Sequence, residues 1–229
     1  NSGGINVDNL MTFDGCTLFA ISESPVKKGV LWTGSNDGMI YITKDDGKSW
    51  TNITPKDLGE CLINAIEVSP HDPATVYIAA TKYKLNDFTP FAFKSNDYGK
   101  TWTKIVNGIP YGACVRVVRE DNVRKDLLFA GTETGLYVSF DGGNSWNVIS
   151  KGIEKGTINR LKYIPNEPNC VLAAHSNGLY YSVDNGENWS KVSGFPNVEV
   201  WDFAFSVLKN NITLVAGTFG RGLIRCQFF

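Results

Sequence analysis

Apolar and polar residues alternate along this chain in short runs, and the runs recur in a fixed order. Ile63-Asn-Ala-Ile-Glu-Val68 is followed by Thr75-Val-Tyr-Ile-Ala79, then by Phe91-Ala-Phe93, then by a run that opens at Trp102. The same order starts again at Thr17, Val115, Ile158 and Val200. Alternation with a period of two over four to six residues predicts half-buried strands. The third run of a unit ends in [Ser/Thr]-x-Asp-x-Gly-x-[Ser/Thr/Asn]-Trp, written four times: Thr43–Trp50, Ser95–Trp102, Ser139–Trp146 and Ser182–Trp189.

Asp and Gly two positions apart between strands are turn chemistry. The carboxylate accepts bonds from backbone N–H groups across the turn, and the Gly supplies a positive φ at no steric cost. The Trp opens the next strand with a large flat surface that one hairpin cannot bury, so neighbouring units must stack. Asp45, Gly47 and Trp50, with Asp97, Gly99, Trp102, Asp141, Gly143, Trp146, Asp184, Gly186 and Trp189, are therefore read as residues that hold the fold.

Successive tryptophans of the repeat are 52, 44 and 43 residues apart. That period, with four short strands per unit, predicts an all-β chain folded as a β-propeller of about five four-stranded blades. The fifth unit has runs at Val200–Phe205, Thr213–Ala216 and Leu223–Cys226, and the 229 residues then stop. Ile5-Asn-Val-Asp-Asn-Leu10 is unassigned. It is expected beside Leu223–Cys226 as the missing outer strand, which would close the ring and leave no long bare edge. The rival is an incomplete ring cut from a longer chain. The reading is one propeller domain over residues 1–229, or a fragment of a longer propeller protein.

Charge and composition narrow the partners. Lys and Arg number 22 against 23 Asp and Glu, with no basic block, so nucleic acid is not expected. No apolar run has the length of a membrane span. Asn1-Ser-Gly-Gly4 has neither a charged nor an apolar leader region, so the chain is either processed or a fragment. Cys16, Cys61, Cys114, Cys170 and Cys226 show no C-x-x-C spacing, and His71 and His175 are far apart; neither a metal site nor a cofactor is expected. Cys16, Cys61 and Cys114 each precede the first strand of a unit and read as small buried residues. Three sequons occur, at Asn52, Asn188 and Asn211.

The four Asp turns resemble the Asp-box, or BNR repeat, of sialidases, sortilin and xyloglucanase-type glycoside hydrolases. Ile21-Ser-Glu-Ser-Pro25, Gly29-Val-Leu-Trp-Thr-Gly34-Ser-Asn-Asp-Gly38, Val117-Val-Arg-Glu-Asp121 and Ala130-Gly-Thr-Glu-Thr-Gly135 are similar to secreted BNR-repeat proteins of the sortilin-like or "glycosyl hydrolase" kind. The ending Gly217-Thr-Phe-Gly-Arg221-Gly222 resembles their Gly-Thr-His-Gly-Arg-Gly motif, with Phe219 in place of His. The resemblance covers nearly the whole chain and implies an extracytoplasmic protein, secreted or periplasmic. Asp-boxes occur in enzymes and non-enzymes alike, so it implies a fold more than an activity.

A sialidase-like site needs an arginine triad with a Tyr nucleophile, and no Phe-Arg-Ile-Pro-like motif precedes the first Asp turn. A xyloglucanase-like site needs two carboxylates facing each other across a sugar. Glu23, Glu67 and Asp121 are available singly, at or just after a unit's first strand, and the family's catalytic acids map onto no particular position here.

Ligands of propellers sit on the face built by the loops joining strand two to three and strand four to the next blade. The first loop class carries Asp37, Tyr83, Asp87, Glu133, His175 and Arg221, and the second Glu199 with Trp201. The stretch Thr81–Pro90 is the longest insertion in the repeat, and extra loops on a rigid scaffold are where function concentrates. Tyr83 with Asp87 is an aromatic-plus-acid pairing suited to a sugar or peptide. The expectation is a non-catalytic module recognising a protein or glycan through Asp37, Tyr83, Asp87, Glu133, His175, Trp201 and Arg221. The alternatives are a glycoside hydrolase of xyloglucanase type and an assembly factor for a larger complex.

Overall fold

The computed structural model describes residues 17–208 and 211–228. They form a five-bladed β-propeller. The strands pair with their sequence neighbours into four sheets of four strands and a fifth of three. Blade one holds β1 (Leu18–Glu23), β2 (Leu31–Ser35), β3 (Ile40–Thr43) and β4 (Thr51–Asn52). Blade two holds β5 (Leu62–Val68), β6 (Val76–Lys82), β7 (Asp87–Ser95) and β8 (Thr103–Lys104), and blade three β9 (Val115–Glu120), β10 (Leu128–Thr132), β11 (Leu136–Ser139) and β12 (Asn147–Ile149). Blade four holds β13 (Ile158–Ile164), β14 (Glu167–His175), β15 (Gly178–Ser182) and β16 (Ser190–Lys191), and blade five β17 (Val200–Leu208), β18 (Asn211–Thr218) and β19 (Gly222–Phe228).

The insertion behaves differently from a long loop. It extends the second hairpin, with Lys82 pairing Asp87 across it. A single 3₁₀ turn over Tyr83–Leu85 and a left-handed Asn86 (φ 58°) close its tip.

The four Asp turns share one geometry. In each, the leading Ser or Thr hydroxyl donates to the Asp Oδ1 and accepts the Gly N–H; in the third turn these bonds measure 2.8 Å each. The Asp then accepts the N–H of the residue four positions on, at 2.9 Å in all four copies. Its Oδ2 takes that residue's side chain at 2.5–2.6 Å. The two residues after the Asp are both left-handed, as in Tyr98 and Gly99 at φ 61° and 79°. Tyr98 is the costly member of this set, since only Gly and short polar residues visit that region easily. It is held by Tyr98 N–H donating to Ala74 O at 3.0 Å and by Lys44 Nζ 4.0 Å from its ring centre.

The core lies between blades rather than within them. One cluster joins Trp32 and Ile40 of the first blade to Ile63 and Ile78 of the second, and the next joins Tyr77 and Ala92 to Leu128 and Trp146. A third joins Phe129 and Leu136 to Leu161 and Trp189, and a fourth joins Leu172 and Leu179 to Phe203 and Leu214. Tryptophan indoles fasten two of these seams. Trp102 Nε1 donates to Ile53 O at 2.8 Å, and Trp146 Nε1 to Ile105 O at 2.9 Å. Trp189 is buried as well but bonds within its own turn, to Gly186 O. Trp50 departs from the expectation of burial and is 42% exposed, because no blade precedes it among the described residues.

Inner strands contact in the order β1, β5, β9, β13, β17, and no comparable contact joins β17 back to β1 among the described residues. Apolar side chains are exposed at both ends of the series: Leu18, Phe19 and Ile21 at one, Trp201, Leu208 and Leu223 at the other. The expected pairing of Ile5–Leu10 with β19 lies outside the described residues.

Every inner strand carries a bulge at the same register. The residues skipped by the ladder are Phe19, Asn64, Arg116, Asn159 and Trp201. A bulge re-aims one side chain, and two of these reach forward across a seam. Asn64 Nδ2 donates to Val115 O at 3.1 Å, and Asn159 Nδ2 to Val200 O at 2.9 Å.

Trp146→Ala is expected to cost about 3–5 kcal/mol in a denaturant melt, the range for deleting a buried aromatic. Trp146→Phe should cost about 1–3 kcal/mol, because it leaves Ile105 O buried without its donor. Acid supplies a second check. Hydrogen bonds from Ser49 and Thr43 hold Asp45 down to about 2, those from Thr101 and Ser95 do the same for Asp97, and those from Ser145 and Ser139 for Asp141. Folded pKa values below the unfolded ones mean stability that is complete above about pH 4 and is lost as the pH falls toward about 2. An Asp97→Asn, Asp141→Asn double variant should show a shallower loss over that window in pH-resolved melts.

Candidate functional site

The loops joining second to third strands lie on one face, tied to the segments that lead into the first strands. Asn36 N–H donates to Thr17 O, Glu133 N–H to Cys114 O, Ser176 N–H to Thr157 O and Phe219 N–H to Glu199 O. In the second blade the hairpin extension occupies this place. Gly112 N–H, on the connection from blade two to three, donates to Phe88 O at 3.0 Å and so draws Tyr111 to the base of the extension. Tyr111 is 71% exposed, a high value for an aromatic ring.

Tyr83 and Glu133 meet here through Arg116. The Arg116 guanidinium lies 5.7 Å from the Tyr83 ring centre and bonds Glu133 Oε1 at 2.6 Å. Arg116 is the bulged residue of β9, and the bulge turns it toward the loop face. The conjunction is assembled from three separate elements: the 3₁₀ turn, an inner strand and the β10–β11 loop. Arg116 is absent from the loop residues singled out in the sequence. The signal that could have found it is its register, one place after the first core residue of its strand.

Asp37 and Asp87 lie at the margins of this region. Asp37 accepts the Ser35 hydroxyl and the Met39 N–H, closing its own turn. Asp87 accepts Thr89 N–H at 2.9 Å, and the Thr89 side chain and backbone hold its carboxyl below the usual range. Between blades one and two, Glu60, Cys61, Thr81, Lys82 and Tyr83 line a cleft of about 20 Å³, room for a water-sized occupant. Burial pushes the Cys61 thiol up to about 12. Cys61, Cys114, Cys170 and Cys226 are free thiols.

The other three residues lie elsewhere. His175 is buried, with Nδ1 accepting Asn177 N–H at 2.9 Å and its ring 4.9 Å from that of Tyr180. Burial lowers its pKa. Trp201 is the half-exposed bulge residue of β17, and Arg221 is an exposed turn residue between two left-handed glycines, Gly220 and Gly222. These two belong to the end blade, and His175 to the fourth.

The acids on and beside the inner strands are engaged in bonds of the fold. Glu67 pairs with Arg119 of the next blade, and Arg119 Nε donates to Leu161 O of the blade after that at 3.0 Å. Lys162 repeats the pattern one blade on, pairing with Asp202 at 2.9 Å and donating to Phe203 O. Asp121 is fully buried and accepts the Tyr163 hydroxyl at 2.8 Å together with two backbone N–H groups. Glu23 accepts Gly29 N–H at 3.0 Å. Among the described residues no group of three His, Cys, Asp or Glu stands close enough to hold a metal ion, and no helix is long and apolar enough to cross a membrane.

A family model described as "Sortilin, neurotensin receptor 3" (Sortilin-Vps10) matches residues 90–218, more than half of the sequence. The chain belongs to the Sortilin-Vps10 family. Of curated proteins, a xyloglucanase of Hypocrea jecorina is 28% identical over 159 residues, which is 62% of this chain and 18% of that protein. A probable oligoxyloglucan-reducing end-specific xyloglucanase of Neosartorya fischeri is 26% identical over 145 residues, 58% of this chain and again 18% of the relative. This member of the Sortilin-Vps10 family thus spans less than a fifth of the length of those relatives. Of solved structures, the GH74 xyloglucanase from Xanthomonas campestris matches with a TM-score of 0.69 at 20% identity, over 91% of this chain and 36% of that one. A structure of YCF48 bound to D1 peptide matches at 0.63 and 15%, over 92% and 64%. At these identities the structural likeness is one of fold. The chain is a propeller related to those of glycoside hydrolases.

Because His175 is held neutral by burial, the unfolded chain takes up a proton more readily than the folded one. Stability should therefore be complete above the ordinary His value of 6.5 and fall as the pH drops below it. His175→Gln should reduce that slope between about pH 7 and about pH 5, measured as denaturation midpoints against pH.

Proposed function

We propose that this propeller is a non-catalytic, extracytoplasmic recognition module that binds a protein segment or a glycan on its loop face, over the seam between the second and third blades. The observation that carries this reading is the conjunction of Tyr83, Arg116 and Glu133 beside the exposed Tyr111. A tyrosine ring with a guanidinium over it, itself bonded to a carboxylate, offers an aromatic surface and polar groups to a sugar or a peptide side chain. The hairpin extension is also the one place where the loop face departs from the repeat, on a scaffold fixed by the blades below it. The engagement of Glu23, Glu67 and Asp121 in the fold supports binding over hydrolysis, since a glycosidase commits two free carboxyls to the sugar.

The second reading is a glycoside hydrolase of xyloglucanase type, favoured by the identity to two fungal xyloglucanases. An assembly role has a fold-level parallel in YCF48, whose structure was solved with a D1 peptide.

A glycan array that includes xyloglucan oligosaccharides, with the incubated sugars analysed for cleavage, separates these. Binding without cleavage is expected, or silence on glycans followed by capture of a protein partner. In either case Tyr83→Ala should weaken binding by about tenfold or more, as for a central aromatic contact, while the melting curve stays in place. Cleavage products would overturn the proposal.

A further inference from the structure

Where blades one and two meet at the rim, a groove of about 480 Å³ runs between the outer strand β4 and the second Asp turn. Ile53, Pro55 and Trp102 are among its apolar walls, and Thr51, Asn52, Lys56, Asp57 and Lys100 among its polar ones. Trp102 is partly exposed here, whereas Trp146 and Trp189, its counterparts at the next two seams, are buried at 4% and 3%. A flat indole among hydroxyl, amide, carboxylate and ammonium groups is the make-up of a ligand site: an apolar surface with a few polar groups around it.

The equivalent groove between blades three and four, of about 410 Å³, has a different chemistry. The repeat aligns Trp50 with Trp146 and Trp102 with Trp189, so Asn52 corresponds to Val148 and Lys100 to Glu187. That second groove carries the exposed Phe140 and Val148, and no tryptophan lines it. The amide, the ammonium and the accessible indole are therefore features of one seam and not of the repeat.

Charge decides the class of ligand. Lys56, Asp57 and Lys100 are exposed, and among the described residues none of them forms an ion pair. The groove continues past Lys100 into a further one of about 250 Å³, which shares Thr51, Ile53 and Lys100 and adds Lys44, Ser49 and Tyr98. Asp45 lines it as well, but its two oxygens are held inside its own turn by Thr43 and Ser49. Three ammonium groups thus stand along β4 against one uncommitted carboxyl, that of Asp57. An occupant complementary to this wall is extended, anionic and rich in hydroxyls.

We propose that this rim groove binds a uronic-acid polysaccharide, with a sugar ring against Trp102, its carboxylates along Lys44, Lys56 and Lys100, and its hydroxyls on Thr51, Asn52 and Asp57. The site is separate from the loop face over the seam between blades two and three.

The test is calorimetric titration of polygalacturonate oligosaccharides into the full chain, made without N-linked glycans because Asn52 is also a sequon. Binding is expected to weaken with added salt and to be lost when the uronate carboxyls are methyl-esterified. Lys56→Glu and Lys100→Glu should each raise Kd by about tenfold or more, the loss of one charge-assisted contact. Lys125→Glu, an equal change of charge on an exposed residue outside the groove, should leave Kd unchanged. Polyglutamate, which has the charge without the sugar ring, should bind more weakly. Unchanged melting curves verify that the variants remain folded. An absence of binding, equal binding of the methyl ester or of polyglutamate, or an equal loss with Lys125→Glu would each overturn the proposal. Loss with Tyr83→Ala but with neither lysine variant would place the sugar on the loop face and overturn it as well.

Discussion

The structure depends on contacts that pass from one blade to the next. A four-stranded blade with outer strands of two or three residues cannot bury a tryptophan or complete a core by itself. Each seam therefore collects apolar faces from two blades, and polar groups clasp it: indoles from the Asp turns, amides from the bulged asparagines, and Arg119 and Lys162 along the inner strands. Removing such a donor leaves a buried carbonyl unsatisfied, which is why these groups are tied to the architecture more closely than their charge would imply.

The Asp turn makes this repetition possible. Its two consecutive left-handed residues turn the chain sharply, and the carboxylate holds the following strand start in place with a backbone and a side-chain bond. The first left-handed residue donates its N–H to the loop between the first two strands of the same blade in three copies, and to Asn169 O of β14 in the fourth. The turn thus fixes the angle at which its Trp meets the neighbouring blade. Tyr98 shows how strongly the surroundings enforce this, since an aromatic residue holds there a conformation that glycine or asparagine would adopt at less cost.

The repeat is broken at one place on the loop face. The hairpin extension of the second blade and the bulged Arg116 of the third bring an aromatic ring, a cation and an acid together above an otherwise regular face. Charged residues lower on the inner wall are tempting as a ligand track, but Glu67 with Arg119 and Lys162 with Asp202 close seams. At that depth the charged residues serve the architecture, because their partners come from neighbouring blades.

The sequence by itself determined the number of blades, the positions of the turns and the identity of the residues that build them. Those features rest on local chemistry that each copy repeats: alternation for a strand, Asp and Gly for the turn, Trp for the seam. Asp45, Asp97, Asp141 and Asp184 could be named from spacing alone because their partners lie within four residues. What only the tertiary structure decided is which loop residues meet. Asp37, Tyr83, Asp87, Glu133, His175, Trp201 and Arg221 share a loop face in the sequence, yet only Tyr83 and Glu133 share a contact, through an arginine some thirty residues from one and seventeen from the other. His175 is buried beneath the face and Trp201 stands at the end of the series. The reason is that these contacts depend on the bulge register and on the stacking of one blade against the next, and neither is written in the spacing of any single repeat.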